Sequence, residues 1–155
     1  MIPRHVETLF CDDIRHEVGG KLSFIGVYSA VLFVSTFPIT LPKLCLFVKV
    51  VTPVDQPLRV LKLRILRNEE TLQEIAFDEM QLAAASDSAE EMTEDQKNEQ
   101  THIVQFLVAF SPIQFDEPCI LRVHVQTENG ELRGMALKVE QAPLSADTAP
   151  DKSGT

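Results

Sequence analysis

The sequence predicts an all-β fold: one antiparallel sandwich of about eight or nine strands, of the immunoglobulin, C2 or transthyretin kind, with one acidic insertion. Two observations predict it. Apolar residues recur at every second position through nine segments, and turn-forming Gly, Pro, Asn and Asp residues separate these segments at short intervals. No segment has the stripe of an amphipathic helix, so strands joined by turns are expected rather than alternating strands and helices.

The predicted strands follow one another closely along the chain. In order they are 4–11, 21–28, 30–36, 43–52, 58–67, 71–80, 101–110, 118–127 and 131–140. The residues between them include Gly19-Gly20, Thr52-Pro53 and Asn129-Gly130, which are typical of turns.

The 155 residues are enough for one domain with a single core, which we place at residues 1–140. Within it, residues 81–100 are too rich in Ala, Ser, Asp and Glu to bury much apolar surface, which predicts a mobile acidic insertion, partly helical at most. Residues 141–155 are also small and polar, which predicts a disordered C-terminal tail.

The net charge of −9 is concentrated in one stretch. Eleven acidic residues and one basic residue, Lys97, lie between Glu69 and Glu99, so the rest of the chain carries only +1. Nucleic-acid binding requires a basic surface that neutralises phosphates, and the chain offers only a local cluster from Arg59 to Arg67. We therefore expect no nucleic-acid partner.

An uncharged run of 21 residues, from Leu22 to Pro42, has the length of a membrane span. Glycine, prolines, serines and threonines interrupt it, and its apolar residues are mainly β-branched or aromatic, which favours two buried strands. Val31 to Val34 are continuously apolar, as expected for a strand covered on both faces. We expect no membrane partner.

The three cysteines, Cys11, Cys45 and Cys119, are far apart and form no CxxC pair. This pattern favours buried thiols over a disulfide framework or a zinc site, and it predicts a reducing compartment such as the cytoplasm. Acidic residues near the N-terminus, such as Glu7, do not resemble a secretory signal.

Side-chain parity predicts the register of the hairpin made by strands 58–67 and 71–80, with a three-residue loop at 68–70. Arginines then lie across from glutamates, a reason to interpret the basic cluster as cross-strand ion pairs rather than an anion site. The predicted pairs are Leu63 with Ile75, Leu61 with Phe77, Arg64 with Glu74 and Arg59 with Glu79.

Parity also predicts a three-residue loop, Glu128-Asn129-Gly130, in the last hairpin, with Gly130 in the left-handed conformation. The predicted pairs are Leu121 with Leu137, Val123 with Met135 and Cys119 with Val139, and His124 is expected on the outward face.

The densest polar stretch beside an apolar strand is Cys11 to Glu17, which contains a thiol, carboxylates and an imidazole. Neighbours on an extended strand point to opposite faces, so Asp12 and Asp13 would share a metal ion only if the chain turned there. The structural interpretation is a polar strand end in which a carboxylate pairs with Arg15.

Other motifs are weak. Gly19-Gly20-Lys21 lacks the remaining residues of a phosphate loop, and no Gly-x-Ser-x-Gly motif occurs. The histidines His5, His16, His102 and His124 form no pair at zinc-ligand spacing. Calcium binding by Asp12, Asp13, Asp55 and Asp116 would require their loops to converge. We predict no cofactor, no metal site and no catalytic residue.

The segment Phe10-Cys11-Asp12-Asp13-Ile14-Arg15, followed by Gly20-Lys21, Ser23 and Ile25-Gly26-Val27-Tyr28, resembles a family of small uncharacterised bacterial proteins that share this opening. The resemblance implies a cytoplasmic bacterial β-domain of unknown function and carries over no catalytic residues. It singles out a candidate functional patch: Cys11, Asp12, Asp13, Arg15, Glu17, Lys21 and Tyr28. The structural alternative is that Gly26 permits close approach of another backbone while the Tyr28 hydroxyl fixes a corner.

Two functional hypotheses follow. The first is a non-catalytic interaction or structural module, in which an exposed sheet edge or face binds a protein partner or a second copy of the chain. The alternative is a metal-dependent hydrolase or metal-binding domain that uses Asp12, Asp13 and a histidine.

Overall fold

The computed structural model describes residues 3–82 and 101–143, which fold into an all-β sandwich. The strands are β1 (His5–His16), β2 (Leu22–Tyr28), β3 (Val31–Val34), β4 (Ile39–Leu41), β5 (Leu44–Pro53), β6 (Leu61–Arg67), β7 (Glu70–Phe77), β8 (Thr101–Phe110), β9 (Ile113–Phe115), β10 (Cys119–Thr127), β11 (Gly130–Arg133) and β12 (Leu137–Gln141). The predicted all-β sandwich is confirmed.

The strands form two main sheets. Sheet A has the order β2-β1-β5-β8 and is antiparallel throughout. Sheet B has the order β3-β12-β10-β6-β7, with β11 paired to β10 as well. Its β3–β12 pair is parallel and its other pairs are antiparallel. Strands β4 and β9 form a small separate sheet.

The core lies between sheets A and B because alternate residues of each strand point inward. On β5 these are Leu44, Leu46, Val48 and Val50, and on β10 they are Leu121, Val123 and Val125, all essentially inaccessible to solvent. Burying one such side chain contributes about 1.5–3 kcal/mol. This continuous apolar contact holds the two sheets together.

Each of the nine predicted strands has a counterpart, with differences at the ends. Strand β1 continues to His16 rather than ending at Cys11, so it includes the whole polar stretch. The predicted strand 131–140 is divided into β11 and β12. The three-residue strands β4 and β9 were not predicted, because three residues are too few for a period of two to be visible.

The prediction that Val31 to Val34 is covered on both faces is wrong. Strand β3 lies at the edge of sheet B, where it pairs only with β12. Leu32 and Val34 are buried, whereas Phe33 is 56% exposed. The continuous apolar run therefore has one face on the core and one face in solvent.

The loop of the β6–β7 hairpin is shorter than predicted. It is a two-residue turn over Asn68 and Glu69, with Asn68 at a φ of 53°. An extra residue in β7, Leu72, forms a bulge that restores the predicted pairs Leu63–Ile75, Leu61–Phe77 and Arg64–Glu74. The Arg59–Glu79 pair is wrong because both residues lie beyond the ends of these strands.

The last hairpin differs in the same way. Thr127 pairs with Gly130, so the turn contains only Glu128 and Asn129, and Gly130 adopts a φ of 125°. The register shifts by one residue between β11 and β12, so the predicted pairs Leu121–Leu137 and Cys119–Val139 form. The Val123–Met135 pair does not, because the Gly134 amide donates to the Val123 carbonyl and Met135 is 65% exposed.

Much of the predicted insertion and tail lies outside the described residues, at 83–100 and 144–155. Of the described residues, Leu82 packs in the core at the end of a helical turn at 79–82, and Gln141 pairs with Val34 at the end of β12. Within the described ranges, no helix is long and apolar enough to cross a membrane. The three cysteines are buried in strands as free thiols, as predicted.

Candidate functional site

The predicted patch lies at the hairpin formed by β1 and β2. These strands pair from Phe10–Tyr28 to His16–Leu22. The pairing brings most of the patch together within one hairpin, although its side chains do not converge on one point.

Asp12 and Tyr28 form the central polar contact of the hairpin. The Tyr28 hydroxyl donates a hydrogen bond to Asp12 Oδ1, and the Asp12 side chain lies against Gly26. Gly26 has a φ of 68°, and a Cβ there would overlap the Asp12 carboxylate. Burial and this hydrogen bond raise the pKa of Tyr28 to about 12. These contacts are those of the structural alternative, except that a side chain rather than a backbone approaches Gly26.

Asp13 is engaged elsewhere. Lys43 Nζ lies 2.7 Å from Asp13 Oδ1, and the Ile14 amide donates to the same oxygen. The hydrogen bond from Lys43 lowers the pKa of Asp13. Since Asp12 and Asp13 bind different partners, they do not converge, and the described part of the chain contains no group of three or more His, Cys, Asp or Glu residues that could hold a metal ion. The geometry does not support the metal-dependent alternative.

Cys11 lies on the side of sheet A that faces away from the core, directly opposite Cys45. Both are almost fully buried although they are outside the main core. The rings of Phe24 and Phe47 lie 5.1 Å apart and link β2 with β5, two strands away, so the far end of the β1–β2 hairpin lies over this face. Burial, and then the neighbouring Cys45, raises the pKa of Cys11 to about 11. Cys11 is therefore a poor nucleophile at neutral pH.

The remaining residues of the patch stabilise the hairpin turn. Arg15 Nε lies 3.5 Å from Glu17 Oε1, the carboxylate partner expected for Arg15. The Glu17 amide donates to the Lys21 carbonyl, and the Lys21 side chain is exposed. The arrangement is a polar hairpin in which most charged groups have partners, not a catalytic constellation.

The same face of sheet A carries rows of apolar side chains that cross several strands. One row is Leu107, Phe47 and Leu9, and a second is Ala109, Cys45, Cys11 and Val27. The β1–β2 hairpin covers part of this face. Toward β8 it remains open, with Ile103 50% and Leu107 41% exposed.

Strand β8 is the edge of sheet A next to this open surface. It pairs with β5 over all ten residues in one unbroken register, from Pro53–Thr101 to Leu44–Phe110. It contains no Asp, Glu, Lys, Arg or Pro. Its other side faces no strand among residues 3–82 and 101–143.

Residues 8–140 match the model of a family of unknown function, DUF6941. The chain belongs to this family. The match covers most of the domain and agrees with the expectation of an uncharacterised family. Neither the comparison with curated proteins nor that with solved structures gives a match.

The surface formed by β8 in this DUF6941 domain was not among the predicted site residues. The signal was present in the sequence, since ten consecutive strand residues lack charge. The sequence did not reveal that β8 lies at the edge of its sheet. An uncharged strand is ordinary in the middle of a sheet and unusual at its border.

Proposed function

We propose that this DUF6941 domain is a non-catalytic protein-interaction module, and that β8 pairs with β8 of a second copy of the chain. The carrying observation is that β8 is a long, regular edge strand with no charged residue, proline or bulge of its own and no covering strand within residues 3–82 and 101–143. Exposed edges present unpaired N–H and C=O groups that bind other strands, and monomeric proteins block them with charges, prolines, bulges or short strands.

The other three terminal strands of the two sheet orders have such protection. Strand β7 carries Glu70 and Glu74 and a bulge at Leu72. Strand β2 is interrupted by Gly26 at a φ of 68°. Strand β3 has only four residues. The contrast between β8 and these edges supports β8 as the binding element.

The side chains of β8 suit antiparallel pairing about a two-fold axis. With the axis at Gln105, Ile103 of one copy lies opposite Leu107 of the other. These side chains are on the outer face, so the row formed by Leu107, Phe47 and Leu9 would continue across the interface. Apolar cross-strand pairs contribute about 0.2–1 kcal/mol each, in addition to the new backbone hydrogen bonds.

We also assign the domain to the immunoglobulin-like sandwiches. The order β1-β5-β8 corresponds to strands A-B-E of that fold, and β12-β10-β6 corresponds to G-F-C. In such sandwiches strand D pairs with strand E, the counterpart of β8. Among the described strands, none occupies that position, which leaves the edge for a partner.

A cytoplasmic, bacterial setting is part of the proposal. All three cysteines are free and buried, and Cys11 and Cys45 lie directly opposite each other as thiols. This arrangement supports a reducing compartment.

The proposal is tested by sedimentation equilibrium of the full chain and of Leu107→Lys, with Val60→Lys as the matched control. Val60 is 44% exposed, close to the 41% of Leu107, but it directly precedes β6 of sheet B, whereas β8 belongs to sheet A. We expect the wild-type chain to be a dimer. The dissociation constant of this dimer should rise at least about tenfold in Leu107→Lys and should stay unchanged in Val60→Lys.

Ile103→Lys provides an independent second variant, and circular dichroism verifies that each variant is folded. A monomeric wild-type protein, or an equally stable dimer in both β8 variants, would overturn the proposal.

A further inference from the structure

The outer face of sheet B carries a second, chemically different surface. The register places Arg64 of β6, His124 of β10 and Arg133 of β11 side by side. Arg122 lies two residues from His124 on the same face of β10. Together they line a groove of about 620 Å³.

The groove has an apolar floor. Leu66 lines it and is only 6% exposed, although it lies outside the core between the sheets. At one end is Asn68, whose Oδ1 accepts a hydrogen bond from the Ile120 amide. The amide Nδ2 of Asn68 has no partner within the described residues and remains available as a donor.

Carboxylates neutralise the groove only in part. Lys62 and Arg64 share Glu74, at 3.1 and 3.6 Å. Glu131 is shared by His124 and Arg133, at 3.5 and 3.2 Å. Glu69 is the other carboxylate in the lining. With Glu74 included, three carboxylates lie beside Arg64, Arg122, Arg133 and Lys62, which leaves an excess of one positive charge.

Two arginines keep donor capacity for a ligand. Arg122 lines the groove and forms no ion pair or hydrogen bond with any described residue. Arg64 Nη2 donates to Thr71 Oγ1 at 3.1 Å. Arg64 Nε is shielded from solvent and lies 3.6 Å from Glu74 Oε2, which is too far for a hydrogen bond, so a closer acceptor in the groove would satisfy this donor.

We infer that this groove binds a small ligand through an oxyanion group, phosphate or carboxylate, held by Arg64, Arg122 and Arg133. Guanidinium groups bind both anions through paired N–H donors, and arginine is preferred where such planar recognition is needed. Within the basic cluster, Lys62 and Arg64 contact Glu74, and Arg64–Glu74 is the predicted pair. The further guanidinium groups for an anion come from Arg122 and Arg133, which the sheet register places next to Arg64.

The inference is tested by isothermal titration calorimetry of the full chain with pyrophosphate, inorganic phosphate and succinate, at constant ionic strength. We expect at least one of these anions to bind with a dissociation constant at or below about 1 mM. Stronger binding of pyrophosphate or phosphate would indicate a phosphate ligand, and stronger binding of succinate a carboxylate ligand.

Substitutions locate the site. Arg122→Gln and Arg133→Gln should each weaken binding about tenfold or more. Arg59→Gln is the matched control, since Arg59 is also an exposed arginine but does not line the groove. The inference is overturned if none of the anions binds, or if both groove variants bind as well as Arg59→Gln does.

Discussion

The outer faces of the two sheets are stabilised in different ways. On sheet A, Cys11 and Cys45 are buried beneath the far end of the β1–β2 hairpin, and apolar rows extend from there to the open edge at β8. On sheet B, the outer face is solvated and carries ion pairs, such as Lys62–Glu74 and Arg133–Glu131.

This difference has an energetic consequence. Side chains that are buried or fixed against a backbone of unusual conformation tolerate little change. Exposed ion pairs contribute about 0–1 kcal/mol each, because water and salt screen them. Substitutions on sheet A should therefore affect stability strongly, and substitutions on the outer face of sheet B should mainly affect ligand binding.

The largest effect is expected for Gly26→Ala. An alanine must adopt a φ of 68° and would displace the Asp12 carboxylate, which breaks its hydrogen bond with Tyr28. Together these should lower the free energy of unfolding by about 3 kcal/mol. Gly20→Ala is the matched control, since Gly20 has a φ of 74° but open space around it, and should lose only about 1 kcal/mol. Urea denaturation measures both; equal losses would contradict the packing of Asp12 on Gly26.

An intermediate effect is expected for Tyr28→Phe, which removes the hydroxyl that donates to Asp12. The loss should be about 1 kcal/mol, because Asp12 is exposed and water replaces part of the hydrogen bond. Urea denaturation at neutral pH measures it. A variant as stable as the wild type would show that the contact does not stabilise the hairpin.

The same contact predicts a pH dependence. Tyr28 is the only tyrosine, and its pKa rises from 10.0 to about 12 through burial and the hydrogen bond to Asp12. The folded state keeps the phenolic proton to higher pH than the unfolded state. The stabilisation of the fold by the Tyr28–Asp12 contact is therefore complete below pH 10 and is lost as the pH rises through 12. Ultraviolet titration of the phenolate should give a midpoint near 12 in the folded protein. A midpoint near 10 would contradict the burial of the hydroxyl.

The smallest effect is expected for Glu74→Gln on the outer face of sheet B. Its carboxylate is 43% exposed and faces Lys62 and Arg64, which are 42% and 37% exposed. The loss should be about 0.5 kcal/mol and should shrink as salt concentration rises. Urea denaturation at low and high salt measures it. A loss as large as that of Gly26→Ala would show that Glu74 makes more than a weak, screened contact.

Much of the fold could be predicted because alternation and turn residues are local signals. The pairing of β6 with β7 followed from parity, and so did the pairs Leu121–Leu137 and Cys119–Val139. Loop lengths were wrong because each bulge adds a residue whose position depends on packing against other strands. The order of strands within a sheet depends on contacts between residues that are distant in sequence. The positions of β3 and β8 at sheet edges were therefore not predicted.

The candidate site was predictable only in part. The polar stretch of β1 was visible, but its chemistry depends on partners such as Lys43 and Cys45, which are remote in sequence. The groove on sheet B combines residues of three strands, and Arg122 and Arg133 become neighbours of Arg64 only through the sheet register.

The most direct test of the central claim, that β8 pairs with its own copy, is covalent capture at the two-fold axis. Gln105 is exposed and would face Gln105 of the second copy. Cross-strand Cβ atoms lie about 4.5–5.5 Å apart, close enough for a disulfide with small adjustments. Gln105→Cys under mild oxidation should therefore form a covalent dimer, whereas Gln126→Cys, an exposed glutamine on the outer face of β10, should not. Cross-linking that is absent at residue 105, or equally efficient at residue 126, would contradict the account.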